Sequence, residues 1–499
     1  MPIVVQKYGG SSVASTERIM NVARRIVATY DAGNSVCAVI SARGDTTDEL
    51  LAMAHEITPR PPVRELDMLL SAGERISCAL LAMAIYTLGR EAVSFTGSQA
   101  GIVTDTTHTK AQIVGISPQR VEEALAGGKI TLVAGFQGVS TSKDVTTLGR
   151  GGSDTTAVAL AHALGAGVCE IYSDVDGVYT ANPAIVAGAR KLHTVSYDEM
   201  LEMAASGAQV LALRSVEYAR RYNVVIHSRS SFSDAEGTWV KEEDASMEQA
   251  VVSGVTYTTD EAKVTVRGVP DQPGVAADVF SALADAHVNV DMIIQNVGEQ
   301  GYSDISCTVP IDDLPSAREA LDRVVAELGA KGYTADDTMA KMSLIGAGMR
   351  THPGVAADVF SALADAQVNV DMIIQNVGEQ GHSDISCTVP VDDLPNVREA
   401  LDRVVAELGA KGYTADVAMA KLSLIGAGMR SHPGVAALMF RTLADRGINL
   451  EMISTSPIKI SCVISKDRVE EAVRALHDAF GLESTAVNHE RADRGVWHD

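Results

Sequence analysis

The chain has 499 residues, 46% of them hydrophobic and 21% charged, which is enough for three or four domains that each bury a core. Forty-one basic residues against 64 acidic ones give a formal charge of −23, a field that disfavours nucleic acid and acidic lipid surfaces as partners. No run of about 18 uncharged apolar residues stands out as a membrane helix, and MPIVVQKYGG has no secretion-signal pattern, so the expected location is the cytoplasm.

Over residues 1–246, short apolar segments (IVVQ, SVCAVIS, ITLVAGF, CEIYSDV, VVIHSRS) alternate with helical patterns such as 15–29 and 155–164. That alternation predicts an α/β domain with a mostly parallel sheet covered by helices on both faces. Ligands in such folds sit beyond the carboxyl ends of the strands, so the segments following strands are the ones to search.

The first of these is KYGGSS at 7–12. Gly9 and Gly10 let backbone amides approach phosphate oxygens and Lys7 supplies a point charge, although a plain strand-to-helix turn uses the same residues. In SARGDTTDEL at 41–50, Ser41, Thr46 and Thr47 present hydroxyls after a buried strand, and Asp48 fits a helix cap. Glu74 in SAGERIS either binds a substrate ammonium or complements a helix N-terminus. TTLGRGGSDTTA at 146–157 is more specific. Gly149, Gly151 and Gly152 give close backbone access, Arg150 can hold a carboxylate bidentately, and Asp154 in the first turn of a helix can orient a lysine or a metal. In SDVDGVYT at 173–180, Asp174 and Asp176 either hold Mg²⁺ through water or accept turn amides. The six cysteines, at 37, 78, 169, 307, 387 and 462, show no metal-site spacing and read as buried small hydrophobes.

Beyond residue 262 the chain repeats itself. Residues 271–340 and 351–420 match at 61 of 70 positions with a period of 80, and PGVA recurs a third time at 433–436. The middle copy is a hybrid: KMSLIGAGMRTHPGVA nearly repeats KLSLIGAGMRSHPGVA of the last copy, and from Ala357 it follows the first. Each module reads as βαββαβ, a ferredoxin-like unit. The expected organisation is a catalytic domain at 1–246, a linker with the first strand of the regulatory region at 247–262, modules at 263–340, 341–420 and 421–484, and a mobile tail at 485–499.

KYGGSS, GDTTDEL, MLLSAGERIS, VAGFQG, TTLGRGGSDTTA and YSDVDGVYT, in this order and spacing, resemble the aspartate kinases of the amino-acid-kinase family, and the later modules resemble ACT domains. The resemblance implies an amino-acid-kinase αβα sandwich followed by ACT modules. It also implies transfer of the γ-phosphoryl group of ATP to the β-carboxylate of L-aspartate, as the first step toward lysine, threonine and methionine. In that reading Lys7, Tyr8, Gly9, Gly10, Ser173, Asp174, Tyr179, Asn182, Ala184 and Gln209 fall at the nucleotide, with Mg²⁺ held mainly by ATP. Ser41, Thr47, Glu74, Arg150, Gly151, Gly152 and Ser153 fall at aspartate, and Lys7, Arg150 and Asp154 carry catalysis. Lysine or threonine would act as effectors at Asp271, Asn289, Gln295 and Asn296 of the first module and at His432, Asn449, Leu450 and Ile453 of the last. His352, Gln375 and Asn376 give the middle module features of both. ACT pairing implies a homo-oligomer, and a start at Met247 would yield a separate regulatory subunit.

The chain departs from the family pattern where Asn182-Pro183-Ala184 replaces Asp-Pro-Arg, where Gln209 replaces a lysine, and where Arg43 replaces an apolar residue. Two cations near the nucleotide are thereby lost. The alternative reading is an amino-acid sensor with an impaired nucleotide site.

Overall fold

Successive residues on the central strands of the N-terminal half face two separate cores. The computed structural model describes residues 1–59, 61–242, 252–259, 261–270, 272, 274–291, 293–297, 302–328, 330, 332–336, 339–347, 361–363, 372–377, 383–390, 412–417, 419–432, 434–450 and 452–483. Its first part comprises β1 (Ile3–Tyr8), α1 (Thr16–Asp31), β2 (Ser35–Ile40), α2 (Thr46–Ile57), α3 (Val63–Leu70), α4 (Ala72–Thr87), β3 (Ala92–Phe95), β4 (Ile102–Thr104) and β5 (Ile113–Ile116). It continues with α5 (Gln119–Ala126), β6 (Ile130–Ala134), β7 (Gln137–Ser140), β8 (Val145–Thr147), α6 (Gly152–Ala163), β9 (Val168–Ser173), β10 (Thr194–Ser196), α7 (Tyr197–Ala205), α8 (Leu213–Tyr222), β11 (Val225–Ser230) and β12 (Thr238–Lys241).

Eight strands form one sheet in the order β10-β12-β11-β9-β1-β2-β6-β3, parallel apart from the antiparallel β11–β12 step. In β2, Val36, Ala38 and Ile40 pack with Ile19, Val22 and Ile26 of α1 and Leu81 and Ile85 of α4, whereas Cys37 and Val39 pack with Val158 and Ala161 of α6. The two-residue period of the strand thus gives each face its own helix layer, as the αβα expectation requires. Helix α1 is amphipathic, burying Ile19, Val22, Ala23 and Ile26, and Ser15 caps it by accepting the Arg18 N–H. A smaller sheet, β5-β4-β7-β8, stands at one end.

The stretch Val63–Thr87 is long and apolar enough to cross a membrane by length and hydropathy, which corrects the expectation that no segment comes close. It breaks at Ser71 into α3 and α4, is half buried, and carries Asp67 and Glu74 into the interior. Its apolar face covers the sheet.

After β13 (Gly254–Thr258), the first module runs β14 (Glu261–Pro270), α9 (Val275–Asp285), β15 (Ile293–Val297), β16 (Tyr302–Pro310), α10 (Leu314–Leu328) and β17 (Gly332–Asp336), with strand order β15-β16-β14-β17. The second repeats that order with β18 (Met339–Ala347), β19 (Met372–Val377), β20 (Ser383–Pro390) and β21 (Gly412–Val417), as β19-β20-β18-β21. The third has β22 (Met419–Ile425), α11 (Val435–Asp445), β23 (Met452–Ser456), β24 (Lys459–Ser465) and α12 (Val469–Ala479). Its sheet is β13-β22-β24-β23. The strand expected to open the regulatory region therefore completes the last module, reaching across the two modules between. Lys459–Glu202 (2.9 Å), Ala427 N–H to Glu199 (3.2 Å) and His477 with Thr180 (3.0 Å) fasten this module to the N-terminal domain. Met247, Asp271, His352 and the tail at 485–499 lie outside the described residues, and Gln295, Asn296, Gln375 and Asn376 are described in backbone only.

Candidate active site

Strand parity decides which side chains of KYGG reach the site. Val5 joins the α6 core and Tyr8 the α1 core, so Lys7, two residues from Val5, turns toward α6. Its ammonium lies 2.6 Å from Asp154 Oδ1, with the two side chains only 12% and 10% exposed. Asp154 occupies the first turn of α6, and its Oδ2 accepts the Ala212 N–H at 3.4 Å. The turn that delivers it needs glycine: Gly151 has φ +73°, and a Cβ there would stand 2.3 Å from the Ala212 Cβ.

The loops after β1 and β2 stack on one another. Ser41 N–H donates to Tyr8 O (3.1 Å) and Gly44 N–H to Gly10 O (3.0 Å), while a Cβ on Gly10 would meet Ala42 O at 2.8 Å. Against this pair lies Glu74 in the first turn of α4, 3% exposed. Its Oε1 accepts the Ala42 N–H at 3.3 Å, and its buried Oε2 has no partner. Burial pushes its carboxyl up to about 7, against the milder pull of the backbone N–H groups. A buried carboxylate with one free oxygen fits a ligand ammonium better than it fits a helix cap.

Thr47, in the first turn of α2, and Ser41 are half-buried beside these loops, and Gly152 and Ser153 are buried at the start of α6. Ser173 ends β9 with its hydroxyl near Val175, and Asp174 is exposed. Several expectations need correction. The side chain of Tyr8, expected at the nucleotide, is fully buried and stacks on Tyr172 with ring centroids 4.9 Å apart. Asp48 is no cap, since the N-cap of α2 is Asp45. Asp176 is not free for a metal, because it accepts the Tyr179 hydroxyl (2.7 Å) and pairs with Lys191 (3.3 Å), contacts that hold its carboxyl below the usual range. Arg150 stands apart from Lys7 and Glu74: its side chain is 90% exposed and pairs with Asp312 of the first module at 3.3 Å. Arg43 is drawn to Ala14 O (2.8 Å), and Ala184 and Gln209 are exposed, with Asn182 Oδ1 accepting the Ala184 N–H at 3.0 Å.

Among the effector candidates, Asn289 and Asn449 are exposed at the ends of corresponding helix-to-strand turns, and Ile453 is 46% exposed on β23. Leu450 packs partly against the third module's core, and His432 Nδ1 lies 2.9 Å from Gly428 O. The cysteines at 37, 78, 169, 307 and 462 are buried and unbridged.

The sequence reading missed Asp67 and Arg214, which brace the loops around Gly149, and Lys191, which holds Asp176. Each is remote in sequence from the segment it supports. The apolar helix around Asp67 was the available signal, because a carboxylate is rarely buried there without partners.

Comparison with known proteins agrees with this geometry. Residues 2–228 match the amino acid kinase family, and residues 264–326, 342–404 and 422–480 each match the ACT domain. An aspartokinase of Mycolicibacterium smegmatis is 61% identical over 378 residues, covering 75% of this chain and 90% of its own. Aspartate kinase Ask_LysC of Stutzerimonas stutzeri is 40% identical over 489 residues, covering 98% and 99%. Among solved structures, the aspartate kinase from Synechocystis superposes with a TM-score of 0.56 at 35% identity, covering 97% of this chain and 98% of its own. With that identity carried through the kinase domain and into the ACT region, this chain belongs to the aspartokinase family.

Proposed function

We propose that this chain is an aspartate kinase, transferring the γ-phosphoryl group of ATP to the β-carboxylate of L-aspartate to give 4-phospho-L-aspartate, under allosteric control by its ACT modules. The observation that carries the reading is the unpaired Oε2 of buried Glu74 beside the Lys7–Asp154 pair: a receptor for the α-ammonium next to a cation for phosphate. The nucleophile is already a carboxylate, so no base is required. The bond from the γ-phosphorus to the bridging oxygen breaks, a bond to a β-carboxylate oxygen forms, and ADP leaves with the electron pair. Catalysis then consists of holding two anions in line while charge on the transferred group is neutralised.

Lys7 and the Gly9–Gly10 amides take the β- and γ-phosphates, and Asp154 keeps the ammonium of Lys7 in place. Exposed Asp174 is the carboxylate that would hold Mg²⁺ through water, since Asp154 and Asp176 are engaged, and the ion would supply neutralisation of phosphate charge. Arg150 binds the α-carboxylate once it leaves Asp312. Lysine and threonine are the proposed effectors, the cytoplasm the proposed location, and ACT pairing the proposed basis of a homo-oligomer. A third ACT module is expected to alter the inhibition curve relative to a two-module relative. The sensor alternative finds no support in the identity to enzymes named aspartokinase. The acyl phosphate can be trapped with hydroxylamine: a hydroxamate that needs both ATP and aspartate, with none from glutamate, is the expected result, and its absence would overturn the proposal.

A further inference from the structure

Asp67 on α3 is 0% exposed, and its carboxylate bonds to the two loops flanking Gly149. Its Oδ1 accepts the Thr147 hydroxyl at 2.5 Å, its Oδ2 meets His108 Nδ1 at 2.6 Å, and both oxygens lie 3.2 Å from the Thr109 N–H. Thr109 has φ +66°, a left-handed conformation that a β-branched residue adopts only when its surroundings enforce it. The Asp67 carboxylate is that enforcement. It bonds the Thr109 N–H and clamps the residues on both sides of the contact.

The strained residue lies directly under the glycine turn. A Cβ on Gly149, itself at φ +79°, would meet Thr109 O at 3.0 Å, and Ala111 N–H donates to Thr147 O at 2.9 Å. From the opposite side Arg214 of α8 donates to Leu148 O (3.0 Å) and Ala111 O (2.7 Å). Asp67 takes the donors of the two loops and Arg214 takes their carbonyls, so the loops are tied to each other from both sides. The residue after Thr109 is Lys110, whose ammonium pairs with buried Asp313 of the first module.

We infer that Asp67 is a positioning residue for aspartate: through Thr147 and Thr109 it fixes the loop that carries Arg150, Gly151 and Ser153, and through the same arm it ties that loop to the Lys110–Asp313 contact. The inference rests on the assignment of loop 146–153 to aspartate. A buried carboxylate is a poor device for stability alone, since apolar packing of equal volume does as well, whereas it sets the register of loops that must hold one geometry. A small displacement of such a loop weakens the bound substrate's alignment without touching the nucleotide.

The test uses the full chain carrying Asp67→Asn, Thr147→Val, Thr109→Gly or Arg150→Ala, with KM for aspartate and for ATP, kcat and Tm measured for each. Asp67→Asn should raise KM for aspartate about tenfold or more and Thr147→Val several-fold, with KM for ATP held within about twofold. Thr109→Gly keeps both the N–H and the left-handed backbone, and should leave KM for aspartate unchanged. If Asp67→Asn does not fold, Thr147→Val decides. A lowered Tm or kcat with KM for aspartate unchanged in Asp67→Asn and Thr147→Val would reduce Asp67 to a structural role and overturn the inference. Arg150→Ala separates the two claims. If it raises KM for aspartate while Asp67→Asn and Thr147→Val do not, this inference alone fails; if it has no effect, the assignment of the loop to aspartate fails.

Discussion

Glu74 yields a prediction with opposite signs for binding and stability. Its carboxyl is held near 7 by burial in the ligand-free protein, and only the ionised form can pair with the α-ammonium of aspartate. The charges of aspartate itself do not change between about pH 6 and 8, so Glu74 dominates the pH dependence of aspartate capture. KM for aspartate is therefore expected to be flat above about pH 8 and to rise about tenfold for each unit below 7. Glu74→Gln removes a charge-assisted hydrogen bond worth about 1.5–3 kcal/mol, or about 10- to 150-fold in KM, and should abolish the slope. Stability moves the other way. An unfolded glutamic acid ionises near 4.5 while folded Glu74 holds its proton to about 7, so the folded state loses stability as pH rises through that window. The full loss, about 3 kcal/mol, is present above 7, where Glu74→Gln should raise Tm of the ligand-free protein. Initial rates at fixed saturating ATP, with thermal melts at matched pH, test both halves. A KM independent of pH from 6 to 8, or a slope that survives Glu74→Gln, would refute the reasoning.

Lys7→Ala leaves Asp154 buried without its cation, and should lower stability by about 3 kcal/mol in denaturant melts and reduce kcat by at least about a hundredfold. Gly151→Ala forces a side chain into a positive-φ position against Ala212; activity should fall at least about tenfold, with 1–3 kcal/mol, as an approximate figure, lost in denaturant melts. Ala184→Arg with Gln209→Lys restores two cations at exposed positions, so KM for ATP should fall by about tenfold or more in steady-state assays while KM for aspartate stays put.

The glycine turns and the strands that feed them were legible because their chemistry is local: KYGG and GRGGSD each need close backbone approach within a few residues. The burial of Tyr8 was not legible in the motif string, because it follows from strand parity, which puts alternate side chains of β1 on opposite faces. Asp67 and Arg214 were not legible at all. They act on loops 41 to 103 positions away in sequence, which only the packed α/β layers bring within hydrogen-bond reach. The same limit hid the destination of β13, since nothing in its five residues says that its partner lies beyond two intervening modules. Arg150 was read as a bidentate binder of a carboxylate, and in this structure the carboxylate it pairs with belongs to Asp312 of the first ACT module.

The most direct measurement is aspartate-dependent ADP release by the purified full-length chain over a wide range of ATP, with and without lysine plus threonine. The account predicts release that requires aspartate, saturates with ATP and changes when the effectors are added. No aspartate-dependent release even at the highest ATP would contradict it and return the chain to the role of an amino-acid sensor.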